Sequence, residues 1–147
     1  MAKEFNYSFQ DLDTLIEKKS GRSITEIFRK EGEEVFRKIE SEQLRLLKDE
    51  KIVVATGGGA PCFHDGINWM NENGFTLFLN PPLETIISRI RKEKQRPLIG
   101  EDAKKSLKGL LEKRISSYKQ AGMESDLSEP CEILAELLNS FSSKQPD

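Results

Sequence analysis

Three adjacent glycines, Gly57, Gly58 and Gly59, follow the apolar run "IVVAT" and are the first residues whose pattern indicates chemistry. Glycine loses more backbone freedom on folding than any other residue, so three in a row indicate a sharp bend or a close approach to a ligand. Ligands of open α/β sheets bind at the carboxyl ends of strands, which is where these glycines fall. A flexible strand-to-helix turn is the alternative. A phosphate-binding P-loop does not fit, because none of the ten glycines is followed by lysine.

Two acids, Asp11 and Asp13, form a second candidate at the end of the predicted strand in "FQDLD". Alternate residues of an extended chain point to the same side, so we expect the two carboxylates together. Such a pair suits magnesium coordination and proton abstraction. Helix N-capping is an equally good explanation for Asp13, but it leaves Asp11 without a role.

Two arginines in apolar surroundings form a third candidate. Arg114 falls within the helical arc of Leu107, Leu110, Leu111 and Tyr118. A buried guanidinium is costly unless it is paired, for which Glu40 is one candidate; the alternative is an arginine that extends its charged end to water. Arg37 lies at the edge of the apolar face of its helix, where solvation is the more common outcome. If both arginines converged on one pocket, they would indicate recognition of a carboxylate or a phosphate.

Composition narrows the class of protein. A chain of 147 residues with a net charge of −2 is long enough for one domain with a core and gives no electrostatic indication of nucleic-acid binding. Its one histidine excludes a His/Cys zinc cluster. Two distant cysteines favour a reducing cytoplasm. We find no membrane-spanning run and no signal peptide, and we expect a monomer.

Strands and helices are predicted to alternate along the chain. The strands are "NYSFQ", "IVVAT" and "TLFLN". The helices are 14–21, 23–32, 33–50, 81–94, 103–122 and 129–141, whereas 65–74 is a short helix or a turn and 95–102 is a loop. Ser23 and Glu26 form a capping box, and Gly21 and Gly32 are helix stops. The helix at 33–50 places Val35, Phe36, Ile39, Gln43, Leu46 and Leu47 on one face. Continuous apolar strands separated by helices favour a parallel α/β sheet.

The order and spacing of several motifs make the chain resemble the shikimate kinase family from about Phe5 to Gln120. The motifs are D-x-D, S-I-x-E-I-F, G-E-x-x-F-R, G-G-G and R-P-L, in "FQDLDTLIEKKSGRSITEIFRKEGEEVFRKIE", "VVATGGGA" and "RPLI". The resemblance implies a phosphotransferase that moves the γ-phosphate of ATP to the 3-hydroxyl of shikimate, with Mg²⁺. It also implies a three-layer parallel sheet of the P-loop nucleoside-monophosphate-kinase type.

The resemblance assigns the shikimate site residue by residue. Asp13 would hold the shikimate hydroxyls and help to deprotonate the attacking one. Arg37 and Arg114 would grip the substrate carboxylate, with Glu40 supporting Arg37. The substrate would also meet the backbone groups of the loop Gly57, Gly58 and Gly59.

The resemblance also assigns residues to the nucleotide. Asp11 would position magnesium through water, and Arg96 would be the lid arginine over the phosphates. Arg89 would flank the adenine. The remaining pocket residues would be Phe28, Phe36 and Pro97.

The chain departs from the family at its start and near its end. The family's first strand, P-loop and following helix have no counterpart here, so we expect a single domain over 1–141 without its central strand, followed by a flexible tail at 142–147. The segment "MESDLS" is predicted to make a poor final strand. We therefore expect a shikimate kinase that is inactive as these 147 residues. The alternative is a non-catalytic remnant or binding module that keeps the shikimate pocket and needs a partner segment.

Overall fold

The computed structural model describes residues 2–48, 50–92 and 101–126, together with residues 135 and 137. The strands are β1 (Ser8–Asp11), β2 (Ile52–Ala55), β3 (Leu77–Leu79) and β4 (Met123–Ser125), and the helices are α1 (Leu12–Ser20), α2 (Ile24–Arg45), α3 (Gly66–Asn73), α4 (Leu83–Lys92) and α5 (Glu101–Tyr118). A short 3-10 helix covers Ala60–Cys62. The chain forms two compact units, Met1–Gly74 and Phe75–Asp147. The α/β class with parallel pairing is confirmed.

In the first unit, β1 and β2 form a parallel pair whose register places Ser8 opposite Ile52 and Asp11 opposite Ala55. The helices pack on one core. Its buried members are Leu12, Ile16, Ile27, Phe36, Leu44 and Ala60. The parallel register brings the carboxyl ends of both strands to the same edge, so Asp11 and the glycine loop after β2 share that edge.

Local signals in the sequence set the helix boundaries of this unit. Gly21 adopts the left-handed conformation (φ 65°) that ends α1, and its N–H donates to the carbonyl of Glu17. Ser23 and Glu26 form the predicted capping box at the start of α2. Gly32, predicted as a helix stop, has φ 86° and ψ 175° and breaks the helical geometry inside α2.

The buried face of α2 matches the predicted face only in part: Phe36 is buried and Ile39 packs against the core. Leu46 is 64% exposed and Val35 is exposed as well, whereas Arg37 and Glu40 are buried beside Phe36. The apolar pattern left both charged residues out of the buried face. They neutralise each other, which allows both to leave water.

In the second unit, β3 and β4 pair in parallel from Leu77 opposite Met123 to Leu79 opposite Ser125. The prediction that "MESDLS" makes a poor strand is therefore wrong for its first three residues. Their propensity is low, but the ladder with β3 and the burial of Ser125 compensate for it. Tyr118 at the end of α5 packs its ring 5.0 Å from that of Phe78.

Several predicted elements lie outside the described residues. These are residues 93–94 of the helix predicted at 81–94, residues 95–100 of the predicted loop with Arg96 and Pro97, the last helix at 129–141 apart from residues 135 and 137, and the tail at 142–147. The last two residues of the predicted loop, 101–102, instead begin α5. None of the helices within the described ranges combines the length and the apolar character needed to cross a membrane.

Candidate functional site

The three glycines form a tight loop that joins β2 to the 3-10 helix. The N–H of Ala60 donates to the carbonyl of Gly57 (3.1 Å), and the N–H of Cys62 donates to that of Gly59 (2.8 Å). Gly59 is buried and has φ −87° and ψ −31°, so no unusual backbone conformation requires glycine there. The requirement comes from its neighbours.

The neighbours of the loop are one guanidinium and two carboxylates. A Cβ built on Gly59 would overlap the guanidinium of Arg37. A Cβ on Gly57 would lie 3.2 Å from Glu40 Oε1 and 3.5 Å from Asp13 Oδ1. The glycine backbone thus lies directly against Arg37, Glu40 and Asp13. The loop brings Asp13 close to Glu40, although the two are 27 positions apart in the sequence.

Arg37 is buried and held by two carboxylates of its own helix. It is 8% exposed, which corrects the prediction of a solvated position. Its Nη1 donates to Glu40 Oε2 at 2.8 Å, and Glu40 is 2% exposed. Its Nε and Nη2 donate to Glu33 Oε1 at 3.2 and 3.1 Å, and the Glu33 side chain is 55% exposed.

Burial alone would lower the pKa of Arg37. The hydrogen bond and the charge of Glu40, with a smaller contribution from Glu33, outweigh the burial and leave this pKa above its ordinary value. Arg37 is therefore a permanent cation beside the glycine loop.

Three phenyl rings surround the Arg37 guanidinium. Its Cζ lies 5.0 Å from the ring centroid of Phe36, 4.8 Å from that of Phe63 and 6.0 Å from that of Phe28. These distances are in the range of cation–π attraction. Phe28 and Phe36 were predicted as pocket residues, but Phe63 was missed. The sequence signal was an aromatic residue four positions after Gly59.

Arg45 is a second residue that sequence reasoning missed. Its Nη2 donates to the carbonyl of His64 at 2.6 Å, and its Cζ lies 5.7 Å from the ring centroid of Trp69. His64 and Asp65 both have positive φ angles, 49° and 60°. Arg45 thus ties the turn between the 3-10 helix and α3 to α2.

The two acids differ from each other more than the sequence indicated. Asp11, not Asp13, is the N-cap of α1, because its Oδ1 accepts the N–H of Thr14 at 2.8 Å. Helix N-capping therefore explains Asp11 and not Asp13. Asp13 lies in the first turn of α1, where the helix dipole favours a carboxylate, and it is exposed beside Gly57.

The other predicted site residues lie in the second unit or outside the described residues. Arg114 is half-buried on α5, and Arg89 is exposed on α4. Arg96 lies outside the described residues. Within the part of the chain that the structure describes, no three His, Cys, Asp or Glu side chains form a cluster that could hold a metal ion.

A charged site at the carboxyl ends of parallel strands defines the class of protein as an α/β enzyme that acts on a small polar molecule. Comparison with known proteins specifies the class further. The sequence profile described as shikimate kinase matches residues 1–141, and the chain belongs to the shikimate kinase family.

Relatives and solved structures agree with this assignment. The chain is 36% identical over 141 residues to the shikimate kinase of Persephonella marina, covering 94% of this chain and 85% of that one. It is 34% identical over 143 residues to the Aquifex aeolicus enzyme, covering 96% of this chain and 84% of that one. A crystal structure of the Bacteroides thetaiotaomicron enzyme is similar with a TM-score of 0.85 and 33% identity, covering 97% of this chain and 87% of that one.

The Acinetobacter baumannii shikimate kinase, solved in complex with shikimate, is similar with a TM-score of 0.85 and 30% identity, covering 99% of this chain and 84% of that one. The function is that of a shikimate kinase, a phosphotransferase that moves phosphate from ATP to shikimate.

Proposed function

We propose that the residues beneath the glycine loop form the shikimate site of this kinase. The observation that carries the proposal is the meeting of Arg37, Glu40 and Asp13 at the backbone of Gly57 and Gly59. A permanent cation suits the carboxylate of shikimate, and an exposed carboxylate suits its hydroxyl groups. The absence of side chains on Gly57 and Gly59 lets these three charged groups lie directly against the loop backbone.

Each group then has one role in the reaction. Arg37, with Arg114, grips the substrate carboxylate, and Glu40 fixes Arg37 from its buried side. Asp13 accepts hydrogen bonds from the hydroxyls and takes the proton of the attacking one. The backbone of Gly57, Gly58 and Gly59 holds the ring in place. Catalysis by such a site consists of positioning and charge neutralisation more than covalent chemistry.

The nucleotide side of the reaction rests on the family resemblance. Arg96 would close over the phosphates, and Arg89 would flank the adenine. Asp11 would help to hold Mg²⁺ through water: one of its oxygens caps α1, which leaves the other available. A single carboxylate fits a magnesium ion that keeps most of its water and phosphate ligands. Bound Mg²⁺ would neutralise charge on the phosphates.

We place the phosphate cradle outside these 147 residues. No glycine in the chain is followed by lysine, so the motif that wraps phosphates is not among them. The 147 residues alone are then inactive. The protein would work as a monomer in the cytoplasm.

Calorimetric titration of shikimate into the full-length gene product tests the site. Arg37→Ala and Arg114→Ala should each weaken binding by about 2–5 kcal/mol, because the substrate carboxylate loses a charged partner. Arg29→Ala, which removes an exposed arginine of the same helix as Arg37, should leave the affinity unchanged. Unchanged affinity in both site variants would refute the assignment.

A non-catalytic shikimate-binding module is the second candidate, favoured by the absent Gly-Lys pair. A phosphorylation assay separates the two. The full-length product and the 147-residue chain are compared with ATP and shikimate. Phosphorylation by the full-length product alone supports a kinase whose phosphate-binding loop lies outside the 147 residues. Shikimate binding without phosphorylation by either protein supports the non-catalytic module. Robust turnover by the 147 residues would refute the external cradle.

A further inference from the structure

Glu33 occupies the edge of Arg37 that a ligand carboxylate needs. The Nη1 end of the guanidinium is closed by Glu40, which is 2% exposed. Phenyl rings lie against the guanidinium, and a Cβ on Gly59 would overlap it. The remaining edge, formed by Nε and Nη2, donates to Glu33 at 3.2 and 3.1 Å. A substrate that binds this edge must replace Glu33.

A ligand carboxylate can replace Glu33 in its contact with Arg37. Both N–H groups share a single oxygen, Oε1, and the side chain is 55% exposed, so water solvates much of the carboxylate. Ion pairs of this kind contribute little net stability. A free carboxylate can instead place one oxygen on each N–H, which is the stronger bidentate arrangement.

Charge also makes Glu33 a competitor. One guanidinium already faces two carboxylates, Glu33 and Glu40. A third carboxylate from the substrate would be repelled while Glu33 stays in place. The buried Glu40 has no solvent to move into, whereas Glu33 has.

We propose that Glu33 acts as an internal mimic of the substrate carboxylate. It holds the open edge of Arg37 in the ligand-free protein and swings into solvent when the substrate binds. It therefore limits affinity and restricts the site to ligands whose carboxylate can displace it. This inference rests on the proposed shikimate site and goes beyond it by assigning a specificity-determining residue.

Shikimate titration into the full-length gene product without nucleotide tests the proposal. Glu33→Gln keeps the shape of the side chain and removes the competing charge. The matched control is Glu34→Gln, which changes the net charge equally at an exposed position on the same helix. We expect Glu33→Gln to bind shikimate about three- to ten-fold more tightly than Glu34→Gln. The methyl ester of shikimate, which carries no charge there, should show no such gain.

If Glu33 only stabilised the position of Arg37, its replacement would weaken shikimate binding rather than strengthen it. Equal or weaker shikimate binding by Glu33→Gln, relative to Glu34→Gln, would overturn the proposal, as would an equal gain for the methyl ester. Glu33→Ala should also bind more tightly, which keeps the test decisive if the glutamine variant is unstable. If the unmodified protein bound no shikimate, the proposed site itself would fail, and this result is distinct from equal binding by the two variants.

Discussion

Replacing Gly59 with alanine adds one methyl group at the point where the loop lies against Arg37. The backbone of Gly59, at φ −87° and ψ −31°, is one that alanine adopts freely. The new Cβ would overlap the guanidinium. The whole effect is therefore steric, and either the loop or Arg37 must move.

The size of the effect follows from what holds Arg37. Forcing a methyl group into a packed site costs about 1–3 kcal/mol. If the guanidinium instead leaves the buried Glu40, 2.8 Å away, the cost is that of a broken buried pair, about 3–5 kcal/mol. Either displacement also moves the cation that the substrate needs, so shikimate affinity should fall at least about tenfold.

Denaturant unfolding and calorimetry of the full-length gene product measure both quantities. Gly109→Ala is the control, because Gly109 lies in α5 with no atom within 4 Å of an added Cβ. In a helix that change should stabilise the protein by about 0.5–1 kcal/mol. If Gly59→Ala matched the original protein in both stability and shikimate affinity, the loop would not lie against Arg37.

Three further predictions follow from local contacts. Asp11→Ala should destabilise the protein by about 0.5–2 kcal/mol in denaturant unfolding, whereas Asp11→Asn keeps the cap and should raise only the Mg²⁺ concentration needed for activity; an unchanged Mg²⁺ requirement would exclude the metal role. The hydrogen bond from the backbone N–H of Ser23 lowers the pKa of Glu26 below 4.5, so its contribution is present above that pH and lost as the pH falls through the lowered pKa. Glu26→Gln should weaken this acid sensitivity in unfolding midpoints measured above and below pH 4.5, and equal sensitivity would contradict the reasoning. Gly32→Ala should cost about 1–3 kcal/mol of unfolding free energy through backbone strain alone, and no loss would contradict it.

Features that depend on neighbouring residues could be predicted from the sequence. The capping box of Ser23 and Glu26 and the stop at Gly21 close within a few residues, so the pattern contains both partners. The N-cap of α1 was nevertheless assigned to Asp13 instead of Asp11, because two acids in one short segment fit the same capping pattern.

Features that depend on distant partners could not be predicted from composition or periodicity. The burial of Arg37 needs Phe63, which comes 26 residues later in the chain. Strand β4 forms because β3 provides a ladder for three residues of low strand propensity. Only the family resemblance placed Arg37 and Asp13 in one site, because it carries three-dimensional information that the pattern lacks.

The backbone conformation of Gly32 brings two phenyl rings together around Arg37. Phe28 and Phe36 are eight residues apart, and a straight helix would separate them by about 12 Å along its axis. Their ring centroids are 4.7 Å apart. Only a sharp bend between them can close that distance, and the bend lies at Gly32, whose φ of 86° and ψ of 175° are available to glycine alone. The two rings then share the guanidinium of Arg37. The glycine of the G-E-x-x-F-R motif thus builds the aromatic surroundings of the arginine that follows it in the same motif.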